Sequence, residues 1–409
     1  MQSTKYLIIG GGMAALEAAK QLRKADATAS ITLVSEERLV PYNRPPLSKH
    51  FLRGEMPLEK VLLAPEAWYR ENNITVLLGT KGEGLDPAKA TVSLSNGETC
   101  HYEKLLIATG GEPVRLTRLA GSNLGGIHYL RTVEDAQAIG AEALPGKRAV
   151  LVGAGFIGLE VAASLAKKGV QVTVLEALPH IWPKFAGAGL AGFVKRYCEE
   201  RGVRFVTGDG VESFDGSGRV ASVKTQSREY PCDFVVVGVG IRPRTEVAIA
   251  GGVRVDNGIV VDEKMHTSHP NIFAAGDVVN YPDPVFGKRR RVEHWGHAEY
   301  TGQIAGMNMA GKETPYNLLT YVWSDIFDLH LEFAGDESEH DQALVRGKME
   351  DKAFVVLYLK QHVLRAYFSV NTSAKEFPVF QRLIQRKTDL STKLAQLQDA
   401  AFNVRGLLS

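Results

Sequence analysis

Residues 149–176, AVLVGAGFIGLEVAASLAKKGVQVTVLE, constrain the fold more than any other stretch of the chain. Ala149-Val150-Leu151-Val152 is a short apolar run that reads as a strand buried on both faces. Gly153, Gly155 and Gly158 follow in the spacing G-x-G-x-x-G, with Phe156 and Ile157 between the last two, and Ala162 lies one turn on along the same helical face. The first glycine permits the tight turn, the second lets backbone approach a pyrophosphate, and the third lets the helix pack closely on the strand. A helix begun in this way offers free N–H groups and a positive dipole end to phosphate. Residues 170–175 read as the next strand, ending in Glu176, where an acid about 20 residues beyond the motif hydrogen-bonds an adenosine ribose. Strand, glycines, helix, strand and acid in that order specify a dinucleotide-binding unit.

The chain opens with a second copy of the same device. Lys5-Tyr6-Leu7-Ile8-Ile9 is the strand, Gly10, Gly12 and Ala15 supply G-x-G-x-x-G/A, the helix runs to Ala25, and a strand at 31–34 leads to Glu36. Two such units imply two nucleotides or two dinucleotide cofactors. Between them, Pro41-Tyr42-Asn43-Arg44-Pro45-Pro46-Leu47-Ser48-Lys49 is a proline-stiffened turn that holds Arg44 and Lys49 in place, or else a solvated loop with charged ends. Further strands are expected at 74–78, 91–94, 104–108, 204–207, 233–237 and 271–275, and helices at 132–143, 193–201 and 297–309. Three of these strands run into small-residue turns: Ala108-Thr109-Gly110, Gly238-Val239-Gly240 and Gly276-Asp277. From Tyr316 onward the glycine motifs stop. Residues 354–359 and 363–370 flank Lys360-Gln361-His362 as a β-hairpin, and helix is expected near Phe380 and again at the end of the chain. This reads as a separate α+β domain.

Composition narrows the function classes. A chain of 409 residues, 44% hydrophobic and 23% charged, has room for two or three domains with real cores. Its net charge of +2 argues against a general nucleic-acid or membrane surface. No apolar run approaches the ~18 residues that span a bilayer, and no secretory pattern precedes the first strand, so no membrane partner and a cytoplasmic location are expected. Cys100, Cys198 and Cys232 lie far apart and form no C-x-x-C, which speaks against a disulfide framework or a metal site.

The order of the glycine unit ending in Glu36, PYNRPPLSK, ATGG, the glycine unit ending in Glu176, and IFAAGDV resembles the FAD-dependent pyridine-nucleotide oxidoreductases with two dinucleotide domains. Within them the chain is similar to the NADH:ferredoxin/rubredoxin reductase branch, which includes apoptosis-inducing factor. The resemblance covers nearly the whole chain. It implies an α/β fold with two Rossmann-like domains, an FAD-binding one (1–112 and 238–318) and an NAD-binding one (113–237), followed by a C-terminal α+β domain (319–409). It also implies that Gly10, Gly12, Ala14 and Ala15 approach the FAD pyrophosphate and that Glu36 takes its ribose. Arg44 would contact the pyrophosphate or adenosine end, and the Gly82 backbone the adenine. Ala108, Thr109 and Gly110 would line the cofactor, Arg131 support it, and Gly276 and Asp277 meet its ribityl chain. Glu293, His294 and Trp295 would stand at the flavin ring with Trp323 nearby, core packing being the alternative for both tryptophans. Gly153, Gly155, Phe156, Ile157, Gly158, Glu176, Gly238 and Gly240 fall to the nicotinamide nucleotide.

The resemblance gives Lys49 a place beside the reactive edge of the flavin, paired with Glu160. A reduced flavin is anionic, so a fixed cation suits it, and a buried lysine needs an acid partner. The plainer reading of Glu160 is a first-turn acid favoured by the helix dipole. A carboxylate at Glu176 favours a free ribose hydroxyl over a phosphate, and Ala177-Leu178-Pro179-His180 brings no arginine, so NADH is the expected donor. No cysteine precedes Cys100, which removes the thiol relay of the disulfide reductases in this superfamily.

The expected activity is hydride transfer from NADH to FAD and single-electron delivery to a ferredoxin or rubredoxin, by a monomer or homodimer. Lys288-Arg289-Arg290-Arg291 is either a docking site for such an acidic partner or a solvated loop. Two other functions compete. GKRRRVEH is similar to the apoptosis-inducing-factor branch, whose members act in redox signalling through a long-lived charge-transfer complex. The long C-terminal insertion of the animal proteins is missing, however, and Trp295 stands where they have histidine. Direct reduction of soluble quinone or oxygen is the third reading.

Overall fold

The N-terminal apolar run forms the strand Gln2–Ile9, which pairs in parallel with Ile31–Val34 on one side and Thr99–Ile107 on the other. A computed structural model describes residues 2–182 and 187–408 of the chain. Its internal contacts divide the protein into two compact units: Met1–Pro45, Pro57–Glu112 and Ile241–Thr320 in the first, Pro46–Met56, Pro113–Gly240 and Tyr321–Ser409 in the second.

In the first unit, Ile74–Leu77 extends the parallel sheet beyond Ile31–Val34, and Ile272–Ala274 pairs with the second half of Thr99–Ile107. The first half of that long strand turns antiparallel to Thr91–Leu94, which pairs in turn with Gly82–Asp86. Ile107 lies level with both Ile9 and Ala274, and Ile9 with Val34. This register puts Gly10, Glu36, Ala108–Gly110 and Gly276–Asp277 just past one edge of the sheet. Ligands of parallel α/β sheets bind outside that carboxyl edge. The helix Met13–Ala25 crosses Trp295–Met309 closely: a Cβ on Gly302 would stand 2.5 Å from the Ala14 carbonyl oxygen, and one on Gly306 2.6 Å from that of Ala18.

In the second unit, Val203–Thr207, Gln171–Glu176, Arg148–Val152, Phe234–Val237 and Ile127–Tyr129 form a five-stranded parallel sheet. Side chains alternate between its faces. Ala149, Leu151, Phe234 and Val236 enter a core with Leu159 and Leu165 of the Phe156–Lys167 helix. Val150, Val152, Val235 and Val237 enter another, with Phe214, Val223 and Tyr230. The continuous apolar pattern of these strands reflects burial on both faces. The second of these cores is closed by an antiparallel ribbon, Val211–Gly216, Val220–Thr225 and Glu229–Pro231.

The C-terminal part is a five-stranded antiparallel sheet ordered Tyr321–Ile326, Leu329–Gly335, Val363–Val370, Ala353–Lys360, Gln342–Lys348. The helix Phe377–Arg386 packs on it, and Leu394–Gln398 and a final 3-10 turn follow. Phe333, Phe354, Val356 and Phe368 of this sheet share the core of the Phe156–Lys167 helix. The hairpin expected from sequence is its centre; the three flanking strands and the 211–231 ribbon were not expected, although Leu329–Phe333 alternates apolar and polar residues. The helix expected at 193–201 runs Ala188–Glu199, and that at 297–309 begins at Trp295.

Candidate functional site: two nucleotide cradles and a buried ion pair

In the first unit, Gly10 has φ +132°, and a Cβ there would stand 2.1 Å from the carbonyl oxygen of Ala108. The Ala108 N–H donates to the Ile9 carbonyl at 2.8 Å, so the two turns lie side by side. The second unit repeats the contact, with Gly153 at φ +104° facing the carbonyl of Gly238 and the Gly238 N–H bonded to the Val152 carbonyl at 2.8 Å. Gly158 lies against the Gly153 carbonyl, where any side chain would collide.

The helices that start here are capped by glycine alone. Gly12 and Gly155 are the N-caps, neither helix has an acid in its first turn, and nothing lies within 4 Å of a Cβ built on either residue. Their first N–H groups are thus left to a ligand. The contrast is Val133–Glu142, whose N-cap Thr132 and third residue Asp135 form a reciprocal capping box that also takes the Arg131 N–H. That helix supplies its own partners.

Further groups converge on the first cradle. Arg44 donates to Glu37 at 2.5 Å and to the Tyr42 hydroxyl at 3.1 Å. Burial opposes its charge, but Glu37, Tyr42 and Asp277 together raise its proton affinity above the ordinary guanidinium range. Arg244, which no sequence motif singles out, pairs with Glu36 at 2.5 Å. Its carbonyl accepts from the Thr109 hydroxyl at 2.6 Å, and its N–H donates to the Gly110 carbonyl at 2.9 Å. Gly82 begins its strand packed beside Ile9 and Val92. Ala14 and Ala15 are buried, Ala14 beneath Gly302 and Gly276, so their small size serves the helix crossing.

The Gly276 N–H donates to the Thr301 hydroxyl at 2.9 Å. His294 caps its helix by accepting the Gly296 N–H at 3.2 Å, and Glu293 pairs with Arg291. Trp295 Nε1 and His297 Nε2 are buried without a hydrogen-bond partner. Orphaned polar atoms of this kind fit a polar ligand such as a flavin.

In the second cradle Glu176 accepts the Ala154 N–H at 2.9 Å on one oxygen and the Leu178 N–H at 3.0 Å on the other. The carboxylate is thereby held beside the glycine turn. Ile157, Leu178 and Val239, on the segments that leave the carboxyl edge of this sheet, are among the exposed large apolar side chains of the described residues. An apolar lining with a few fixed polar groups suits a nucleotide. Phe156 instead turns inward, its ring 4.9 Å from that of Trp182.

The second unit also brings Lys49 and Glu160 together. Lys49 Nζ stands 2.7 Å from Glu160 Oε2, and both residues are buried, at 7% and 5% exposure. Glu160 is the fifth residue of its helix, beyond the first turn where the dipole would favour an acid. Two hydroxyls join it: Ser48 donates to Oε2 at 2.5 Å and Ser324 to Oε1 at 2.6 Å. The Ser164 hydroxyl, one helical turn on, donates to the Ser48 carbonyl at 2.7 Å and pins the 46–56 segment to the helix. The cation also stands over the Trp323 ring, whose centroid is 5.4 Å from Lys49 Nζ. A single serine beside a singled-out residue has no spacing signature, so Ser48 and Ser324 were not legible in the sequence.

The arginine run is engaged within its own unit. Arg289 donates to the Val261 and Asn280 carbonyls, Arg290 to Asp283 at 3.1 Å, and Arg291 to Glu293 and Asn257. It is not a row of unpaired charges. All three cysteines are buried, and burial raises Cys198 and Cys232 to about 12 and moves Cys100 the same way, which suppresses thiolate chemistry. Among the described residues no group of His, Cys, Asp and Glu is placed to hold a metal, and no helix is long and apolar enough to cross a membrane.

Comparison with known proteins agrees with this geometry. The pyridine nucleotide-disulphide oxidoreductase family matches residues 4–302, and the reductase C-terminal family matches residues 321–408. The chain is 38% identical to a probable ferredoxin reductase of Castellaniella defragrans, over 98% of both chains. It is 35% identical to a rubredoxin–NAD(+) reductase of Pseudomonas putida, over 90% of this chain and 96% of that one. Its structure matches the reductase of a covalent putidaredoxin reductase–putidaredoxin complex with TM-score 0.94 and 31% identity, over 100% of this chain and 99% of that one. A ferredoxin reductase from Rhodopseudomonas palustris gives the same TM-score at 29% identity, over 99% and 100% of the two chains. The chain belongs to the pyridine nucleotide-disulphide oxidoreductase family and, within it, is an FAD-dependent NADH oxidoreductase of the ferredoxin and rubredoxin reductase type.

Proposed function

We propose that this protein takes hydride from NADH and passes the electrons one at a time to a small iron–sulfur protein, a ferredoxin or a rubredoxin. Bound FAD supplies the exchange between two-electron and one-electron chemistry. The chain's own part is to bind, orient and compensate charge. On this reading the cradle at Gly10, Gly12 and Ala15, with Glu36, Arg44, Gly82, Ala108–Gly110, Gly276–Asp277 and 293–295, holds FAD, and Arg131 supports it. The cradle at Gly153, Gly155, Phe156–Gly158, Glu176, Gly238 and Gly240 holds NADH. Residues 1–112 with 238–318, 113–237 and 319–409 are then the FAD, NAD and C-terminal domains.

The observation that carries the reading is the buried Lys49–Glu160 pair in a chain whose thiols are all buried. With no reactive thiol, a fixed ammonium serves the negative charge that develops on the flavin ring, and Glu160 holds that ammonium. Lys49→Met is expected to retain FAD and to slow flavin bleaching by NADH by at least about tenfold. Bleaching at the wild-type rate, measured by stopped flow without an acceptor, would remove Lys49 from the chemistry.

Docking of an acidic acceptor near Lys288, Arg289, Arg290 and Arg291 belongs to the same reading. Lys288→Glu reverses one charge of this run. The salt dependence of acceptor turnover reads its effect.

A further inference from the structure

Glu160 carries more than its ion pair. Its two carboxylate oxygens take three donors: Ser324 Oγ on Oε1 at 2.6 Å, and Ser48 Oγ and Lys49 Nζ on Oε2 at 2.5 and 2.7 Å. Ser48 and Ser324 are 2% and 1% exposed, so neither hydroxyl is turned to water. The donors come from two segments, 46–56 and the strand Tyr321–Ile326, and the acceptor from the helix Phe156–Lys167.

An ionised carboxylate is acceptor-only, with about four lone-pair sites on its two oxygens. A lysine on one oxygen fixes a distance but leaves the carboxylate free to rotate about its own axis. A hydroxyl on the opposite oxygen removes that freedom, and charge-assisted hydrogen bonds are the strong ones. An ion pair taken out of water is also favourable only when its remaining hydrogen-bonding sites are filled. Ser324 does both, and Ser48 fills a further site on the oxygen that Lys49 uses.

We propose that Ser324 and Ser48 are positioning residues for the NADH reaction: they orient the Glu160 carboxylate and, through it, the Lys49 ammonium. The C-terminal sheet thereby contributes a working residue to the reductive half-reaction. This rests on the role given above to Lys49 and Glu160. A buried serine at position 324 is bonded to the carboxylate and serves it, where packing on the helix alone would be met by an apolar side chain.

A double-mutant cycle on the FAD-loaded protein tests it. Ser324→Ala is expected to lower the limiting rate of flavin bleaching by NADH about tenfold, the scale of a lost hydrogen bond to a charged group. The apparent dissociation constant of NADH and the FAD content stay near wild type, and Ser324→Thr, which keeps the hydroxyl, keeps the rate. In a Glu160→Gln background, where the acceptor is neutral, Ser324→Ala loses most of its effect. Denaturant unfolding of the same four proteins shows the same non-additivity. Ser48→Ala reports on the other oxygen and stands in if Ser324→Ala does not fold. A wild-type limiting rate in Ser324→Ala, or a loss of equal size in both backgrounds, overturns the inference. If Lys49→Met also bleaches at the wild-type rate, the functional reading itself has failed. If Lys49→Met is slow and the serine variants are not, only the inference falls.

Discussion

Glu176 shows how one side chain is prepared for selection. With both oxygens on backbone N–H groups of the cradle, it has no conformational search to make when a nucleotide arrives. A carboxylate fixed there bonds a ribose diol and repels a 2′-phosphate. Glu176→Ala is therefore expected to lower the NADH:NADPH ratio of kcat/KM by about tenfold to a hundredfold, the range for a hydrogen bond to a charged group. An unchanged ratio would assign selection to other residues. This carboxylate was legible from the spacing of its motif, because a backbone turn of fixed length leaves one place for it. Arg244 was not, because its pairing with Glu36 joins residues far apart in the sequence. Ser48 and Ser324 escaped for the same reason.

At the scale of elements, the nucleotide helices and the parallel sheets, except the edge strand Ile127–Tyr129 in a stretch expected to be connection, could be read in advance because glycines and buried apolar runs have local causes. The antiparallel strands at 211–231 and 321–348 could not. Apart from Leu329–Phe333, which does alternate, their burial alternates irregularly, and their partners are set by tertiary packing. The helix Trp295–Met309 gives the sharpest test at this level. His297 in its first turns is fully buried, with rings of Tyr281 and Tyr316 against it, and burial lowers its pKa from 6.5 to about 3 although Asp277 pulls the other way. The native imidazole is neutral, while the unfolded chain takes up a proton near 6.5. Stability from this residue is thus present above pH 6.5 and is lost as pH falls from there toward 3. The loss runs at up to about 1.4 kcal/mol per pH unit. Urea unfolding across that window should show His297→Gln losing stability less steeply than wild type. Equal slopes would mean that the imidazole does not govern this acid limb.

For the whole molecule, two glycine-capped cradles and three buried thiols describe a carrier of electrons between nucleotides and a partner, without a disulfide relay. Cofactor classes were legible in the sequence because they leave local motifs. The acceptor was not, because partner surfaces are assembled from distant residues, and the most basic run turned out to bind its own loop. The most direct measurement is steady-state turnover of the FAD-loaded protein with NADH, comparing ferredoxin and rubredoxin with a soluble quinone and oxygen at equal concentration. The account predicts rapid turnover with one of the iron–sulfur proteins, well above that with quinone or oxygen. Turnover with quinone or oxygen alone would contradict it, as would a persistent long-wavelength band with dimerisation and no turnover.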